Sequence, residues 1–296
     1  MSLSNKTDIS YSLGGNLSAV CDHSNTIYIT SRLIINKQLK EGQTRIVSSD
    51  PQEKYIKSKF AHNKYGKVLG ALTETHNCLY LYKYSKISLL ESSWVEIARI
   101  SLCEIEDFDF INNTSSYKMK IVLVTKQGKA YVFEASDFTL KSFNMIWNAQ
   151  VNSSGCSAVT CNNFEGFNEE FIIGCYSGAS NDLLQIYKIN KEGTSYIKQK
   201  TIQCDTSPII SAKWAYQLGT NYFYLCVSNK AGYVYFYKIT TDYKSCLKVG
   251  EYRSMKGEVD SLNWNISNKV LTAMCSDGSK LIFKRKTDKE EFVIDG

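Results

Sequence analysis

Three histidines, a knot of carboxylates and ten cysteines are the residues of this chain whose types could do chemistry. An enzyme needs titratable groups that converge on one point. His23, His62 and His76 instead fall in or beside short polar breaks between apolar stretches, so they are expected in solvated turns. No HExxH, GxSxG or phosphate-cradling Gly-Lys-Ser/Thr run occurs. Glu104, Glu106 and Asp107 crowd together at the start of an apolar stretch, a pattern expected of an acidic surface rather than a metal site. Cys156 and Cys161 are the closest cysteine pair, with no histidine near them in sequence, so zinc is not expected there. Ser276, Asp277 and Gly278 form a turn, with glycine supplying the positive φ. The expectation is a chain that is not an enzyme, with no catalytic residue, no cofactor and no metal ligand.

The elements that must position these residues are strands. The last two repeats are PIISAKWAYQLGTNYFYLCVSNKAGYVYFYKI and GEVDSLNWNISNKVLTAMCSDGSKLIFKR. Each has an apolar strand ending in Trp (Trp214, Trp264), a second apolar strand and a Gly turn (Gly232, Gly278). A third strand then alternates and ends in an aromatic and Lys (Tyr237 and Lys238, Phe283 and Lys284). Period-two alternation argues for sheet, and a fixed repeat of this kind is the signature of a β-propeller blade of WD-repeat type. Carried back along the chain, first strands end at Tyr11, Phe60, Phe110, Cys161, Trp214 and Trp264, spaced 49 to 53 residues apart. Third strands end at Thr30, Tyr82, Phe133, Tyr187, Tyr237 and Phe283, spaced 46 to 54 apart.

The expected fold is therefore all-β: a single WD-type propeller domain, 1–296, with six blades at roughly 7–40, 55–100, 103–151, 155–203, 208–253 and 257–296. In the first repeat, residues 32–38 are expected as the outer strand and 41–54 as a polar connection. In the last, residues 290–295 (EEFVID) can serve as the outer strand. The recurring third-strand aromatics suit packing between blades better than base stacking.

Of 296 residues, 35 are basic and 29 acidic; the resulting net charge of +6 is mild and spread out. Direct nucleic-acid binding, which wants basic residues clustered on one face, is not expected. No run reaches the roughly 18 apolar residues of a membrane helix, and the first residues lack a secretory layout. The cysteines, several inside apolar strands (Cys21, Cys175, Cys226, Cys275), are expected reduced and buried, and the compartment cytoplasmic or nuclear.

Closed WD-type propellers commonly finish the last blade with a strand from the N-terminus. Here the first strand of blade one begins near residue 7, which leaves too little chain ahead of it for an extra strand. The expectation is an open ring whose exposed edge and apolar face accept a partner.

Blades four to six carry a more specific likeness. SGCSAVTCNNF, FIIGCYSGASNDLLQIYKI, SPIISAKWAYQLGTNYFYLCV and the run over residues 257–278 resemble the SEH nucleoporins, the Sec-thirteen homologues of the Y-shaped nuclear pore scaffold. So do the blade-four insertion at residues 177–182 and FAHNKYGKVLGAL at 60–72, where Phe60 and Asn63 replace the family's Trp and Pro. The resemblance spans most of the chain and is weakest in blade one; the usual Trp-Asp endings are nearly all Tyr-Lys or Phe-Lys. It implies a six-bladed open propeller completed in trans by a blade from an α-helical scaffold nucleoporin, alongside other Y-complex nucleoporins at the nuclear envelope. Family members also serve in a vacuole- or lysosome-associated complex for amino-acid signalling.

A Sec-thirteen-type subunit of a vesicle coat in ER-to-Golgi transport is the nearest alternative. A closed WD reader of peptides or phosphoinositides is the alternative of another class; the paired-Arg motif of lipid-binding propellers is missing, and the basic run at 283–286 lacks its Gly. Under the scaffold reading, partner contacts are expected at Ile9 and Tyr11 of blade one and at Val259, Leu262 and Phe283 of blade six.

Overall fold

The computed structural model describes residues 8–12, 15–35, 38–86, 92–111, 118–162, 169–176, 182–204, 208–216, 220–265, 269–286 and 291–295. Its 24 strands pair into six antiparallel sheets of four. Each sheet takes four consecutive strands, so hairpins alone build it. The strands of sheet one are β1 (Asp8–Tyr11), β2 (Leu17–Cys21), β3 (Thr26–Ile35) and β4 (Gln38–Val47). Sheet two holds β5 (Tyr55–Phe60), β6 (Val68–Thr73), β7 (Cys78–Lys86) and β8 (Ser92–Ser101). Sheet three holds β9 (Ile105–Ile111), β10 (Lys120–Thr125), β11 (Lys129–Ala135) and β12 (Phe143–Gln150). Sheet four holds β13 (Cys156–Cys161), β14 (Glu170–Cys175), β15 (Leu183–Ile189) and β16 (Tyr196–Gln203). Sheet five holds β17 (Ile209–Tyr216), β18 (Tyr222–Asn229), β19 (Tyr233–Thr240) and β20 (Cys246–Arg253), and sheet six β21 (Val259–Trp264), β22 (Val270–Cys275), β23 (Lys280–Lys286) and β24 (Glu291–Asp295). A single 3-10 turn, Asn63–Tyr65, follows β5.

The repeat extends to irregularities of register. A bulge interrupts the first hairpin just after Tyr55, Cys156, Ile209 and Val259. A second falls between Leu81 and Tyr82, Ile186 and Tyr187, and Phe236 and Tyr237. Each bulge adds a local kink and twist, and the second coincides with the third-strand aromatic read from the sequence.

One expectation is corrected here. Residues 32–38 do not form the outer strand of blade one. The third strand runs on to Ile35, because TIYITSRLII contains no Gly, Pro, Asn or Asp to turn it, and the outer strand is β4, Gln38–Val47. Blade one therefore reaches Val47 rather than residue 40. An outer strand is wetted along most of its length, so its polar sequence reads as a connection. The blade-four insertion lies outside the described residues except for Asp182.

The chain divides into two compact units, residues 1–105 with 135–143 and residues 106–134 with 144–296. In the first, blades one and two share a core of Ala19, Cys21, Ile27, Ile29 and Ile46 with Tyr55, Leu69, Ala71 and Tyr82. Polar ties cross the same junction. The Ser58 amide donates to Asp8 at 2.8 Å and the Trp94 indole donates to Thr44 Oγ1 at 3.3 Å, while inside blade two the Tyr55 and Tyr82 hydroxyls meet at 2.6 Å.

In the second unit the same logic recurs. Asp107 and Asp109 accept from the Val159 and Cys161 amides at 2.8 Å, and Asp182 accepts from the Ile209 amide at 2.7 Å. The Trp214 indole donates to the Thr160 carbonyl at 3.2 Å and the Trp264 indole to the Lys213 carbonyl at 3.4 Å. Between blades three and four sits a buried charge: Lys120 Nζ lies 2.8 Å from Glu169, which also accepts from the Tyr196 hydroxyl. Burial, then the Glu169 carboxylate, push the Tyr196 phenol well above its ordinary range. The outer strand β24 is held by Phe292, stacked on Phe236 of blade five at 4.0 Å between centroids and packed against Trp264.

Candidate functional site

The residues that could do chemistry occupy structural posts. Asp107 is 4 % exposed and bonded to blade four, so the acidic surface expected at 104–107 is, at that residue, a tie between sheets. Glu106 pairs with Lys126 at 3.9 Å. Cys156 and Cys161 are buried free thiols on β13, and Cys156 stands directly across from Cys175 on β14. Burial raises the Cys21 thiol far above its usual value, with the Asp8 carboxylate adding to it; a thiol so raised is a packing group rather than a nucleophile. Tyr82, Tyr187, Tyr237 and Phe283 lie in the cores between blades, as expected of the third-strand aromatics.

His62 caps the 3-10 turn, its Nδ1 accepting from the Lys64 amide at 3.2 Å. His76, in the β6–β7 turn, is exposed as expected there, and it also has partners. Its Nδ1 meets Glu53 Oε2, and its Nε2 lies 3.9 Å from Asp50. The hydrogen bond to Glu53, then that carboxylate's charge, raise the His76 pKa above 6.5. A raised histidine contributes stability that is complete below its unfolded value near 6.5 and is lost as pH climbs through the higher folded value. In metal-free protein, an NMR titration should therefore place His76 above 6.5, and Glu53→Gln should bring it back toward that figure. Sequence reasoning missed this pair because 23 residues separate its members and neither carries a local signal.

The five residues expected at a partner surface fall into two groups. Val259, Leu262 and Phe283 are fully buried in a core with Cys226, Val234 and Phe236 of blade five. They are already covered by their own chain.

Ile9 and Tyr11 differ. On β1, Ser10 bonds Ser58 of blade two at 3.1 Å and Asp8 bonds the Ser58 amide, so Ile9 and Tyr11 look out from the opposite face. Register places Ile9 beside Val20 and Val20 beside Tyr28 on that face. Ile9 and Val20 are half-buried, while Tyr11 and Tyr28 are 42 % and 40 % exposed. Tyr28 is an addition that the period-two alternation of β3 could have supplied.

No family model matches the chain, and no curated protein does. Solved structures do. Sqt1 of Saccharomyces cerevisiae aligns at a TM-score of 0.61 with 11 % identity, over 98 % of this chain and 73 % of that one. Sqt1 of Chaetomium thermophilum, bound to the N-terminus of the ribosomal protein L10, aligns at 0.59 with 14 % identity, over 98 % and 74 %. At such identity the likeness shows the fold. The fold is a six-bladed β-propeller of WD type. Among the described residues no helix is long and apolar enough to cross a membrane.

Proposed function

We propose that this propeller is a non-enzymatic scaffold that takes a strand or blade from a partner on the side of blade one that carries Tyr11 and Tyr28. The partner is an α-helical scaffold nucleoporin, and the assembly is the Y-shaped coat of the nuclear pore at the nuclear envelope. The observation that carries this is the use of the strands. β1 pairs with β2 inside the first sheet, and the sixth sheet is complete with β21 to β24. On blade one, Tyr11 of the edge strand β1 and Tyr28 of β3 are exposed aromatic side chains, which suits augmentation by another chain. A shared blade of this type would bury more than the roughly 2,000 Å² at which obligate interfaces begin.

The first experiment is co-purification from native cells with the bound chains identified. Tyr28→Glu combined with Ile9→Asp should abolish recovery of the helical partner while leaving circular dichroism unchanged. Retention of that partner by the double variant would sink the proposal.

A second function is favoured by one observation: Sqt1, of the same fold, was solved holding the N-terminus of another protein. In that case the chain is a peptide reader. It would be monodisperse alone, bind a short segment, and be indifferent to changes at Ile9 and Tyr28.

A further inference from the structure

In blades four, five and six, the loop ahead of the first strand is tied to the turn between strands two and three by neutral groups. Asn152 Nδ2 donates to the Gly155 carbonyl at 3.0 Å and to that of Tyr176, the Lys230 amide donates to Pro208 at 2.9 Å, and the Ser276 amide to Glu258 at 2.9 Å. Blade two has the same neutral ties: the Glu74 amide donates to Lys54 at 2.9 Å and Thr75 Oγ1 to the Gln52 carbonyl at 3.1 Å. The junction is thus closed without any charge.

Yet three ionisable groups are added to it. Glu53 has a side chain only 1 % exposed; one oxygen faces His76, and the other, Oε1, is buried with no hydrogen-bond partner among the described residues. Asp50 and His76 are 45 % and 53 % exposed at the mouth. One ligand atom from each of the three lies within 4.8 Å of the others. The backbone between the carboxylates is set by a tight turn, in which the Gln52 amide donates to Asp50 Oδ1 at 2.9 Å and the Glu53 amide to the Asp50 carbonyl at 3.1 Å.

A buried carboxylate oxygen left without a partner is costly. One imidazole cannot satisfy both Glu53 oxygens, whereas bidentate ligation of a cation would use both. We propose that Asp50, Glu53 and His76 bind one divalent cation of the zinc class. Imidazole nitrogen with carboxylate oxygen is a zinc donor set, while magnesium and calcium favour oxygen alone. The three ligand atoms lie within 4.8 Å of one another, and water would complete the shell from the side where Asp50 and His76 are exposed. Binding takes the neutral form of the His76 ring. The cation would clip the blade-one to blade-two connection onto blade two.

The test is calorimetric titration of the full metal-free chain with zinc chloride at pH 7.5, with cobalt(II) absorption as a second readout. The expected result is one saturable site, weakened at least tenfold in both His76→Ala and Glu53→Gln. It should be unchanged in Cys103→Ser, which removes an exposed thiol, and in His23→Ala. Circular dichroism checks that each variant is folded. In the wild type, cobalt should give the visible bands of a nitrogen–oxygen site, and zinc should shift the His76 ring resonances. Zinc binding that survives His76→Ala, unmoved ring resonances, or no saturable heat would each overturn the proposal.

Discussion

Lys120→Met should destabilise the second unit by about 3–5 kcal/mol, the cost of leaving a buried carboxylate without its cation. Lys120 and Glu169 are 5 % and 4 % exposed, and their 2.8 Å contact joins blade three to blade four. Lys120 also lies 3.6 Å from Glu134, and the Tyr196 hydroxyl fills out the Glu169 shell, so the charge is satisfied from several sides. Removing the ammonium leaves the hydroxyl as poor compensation. The double change Lys120→Met with Glu169→Gln should recover much of the loss, because no buried charge then remains. Denaturant midpoints of the wild type and the two variants decide it. Equal midpoints for wild type and Lys120→Met would show that the pair is wetted and of little consequence.

Gly128→Ala should cost about 3 kcal/mol, against about 1 kcal/mol for Gly278→Ala. Both glycines sit in turns between strands two and three, and both have positive φ, 77° and 81°. A side chain at such a φ costs about 1–2 kcal/mol. The surroundings then separate the two positions. A Cβ on Gly128 would meet the Asn152 carbonyl oxygen at 1.7 Å, whereas one on Gly278 meets nothing within 4 Å. The Asn152 carbonyl is backbone and cannot swing aside, so overpacking adds about 1–3 kcal/mol. The Gly128 carbonyl also accepts from the Val151 and Asn152 amides, which locks the turn to the following loop. Urea midpoints that fall equally in the two variants would show that the loop simply yields.

Much of the fold was legible along the chain. Alternation within β19 and β23, and the glycine turns that precede them (Gly232, Gly278), are local features, and a hairpin forms from residues that are near in sequence. Two landmarks per repeat were therefore enough to find six sheets, although every third strand runs on past the residue read as its end. The first blade's outer strand was not legible, since β4 is wetted along most of its length and its polar residues carry no apolar period. The site was less legible still. Glu53 and His76 each look like ordinary loop residues, and Asp107 looks like a surface acid. Only packing reveals that Glu53 is buried with a spare oxygen and that Asp107 reaches a backbone amide in the next sheet.

The amino-acid order by itself determined that there would be six hairpin-built sheets of one kind, because strand pairing here depends on neighbours in the chain. The tertiary structure decided which face of each sheet is already taken. Val259, Leu262 and Phe283 look as available as Ile9 and Tyr11 when written as letters, but blade five covers the first three, whereas on blade one Ile9 is half-buried and Tyr11 exposed. Burial depends on residues about 50 positions away, and so no local pattern can report it.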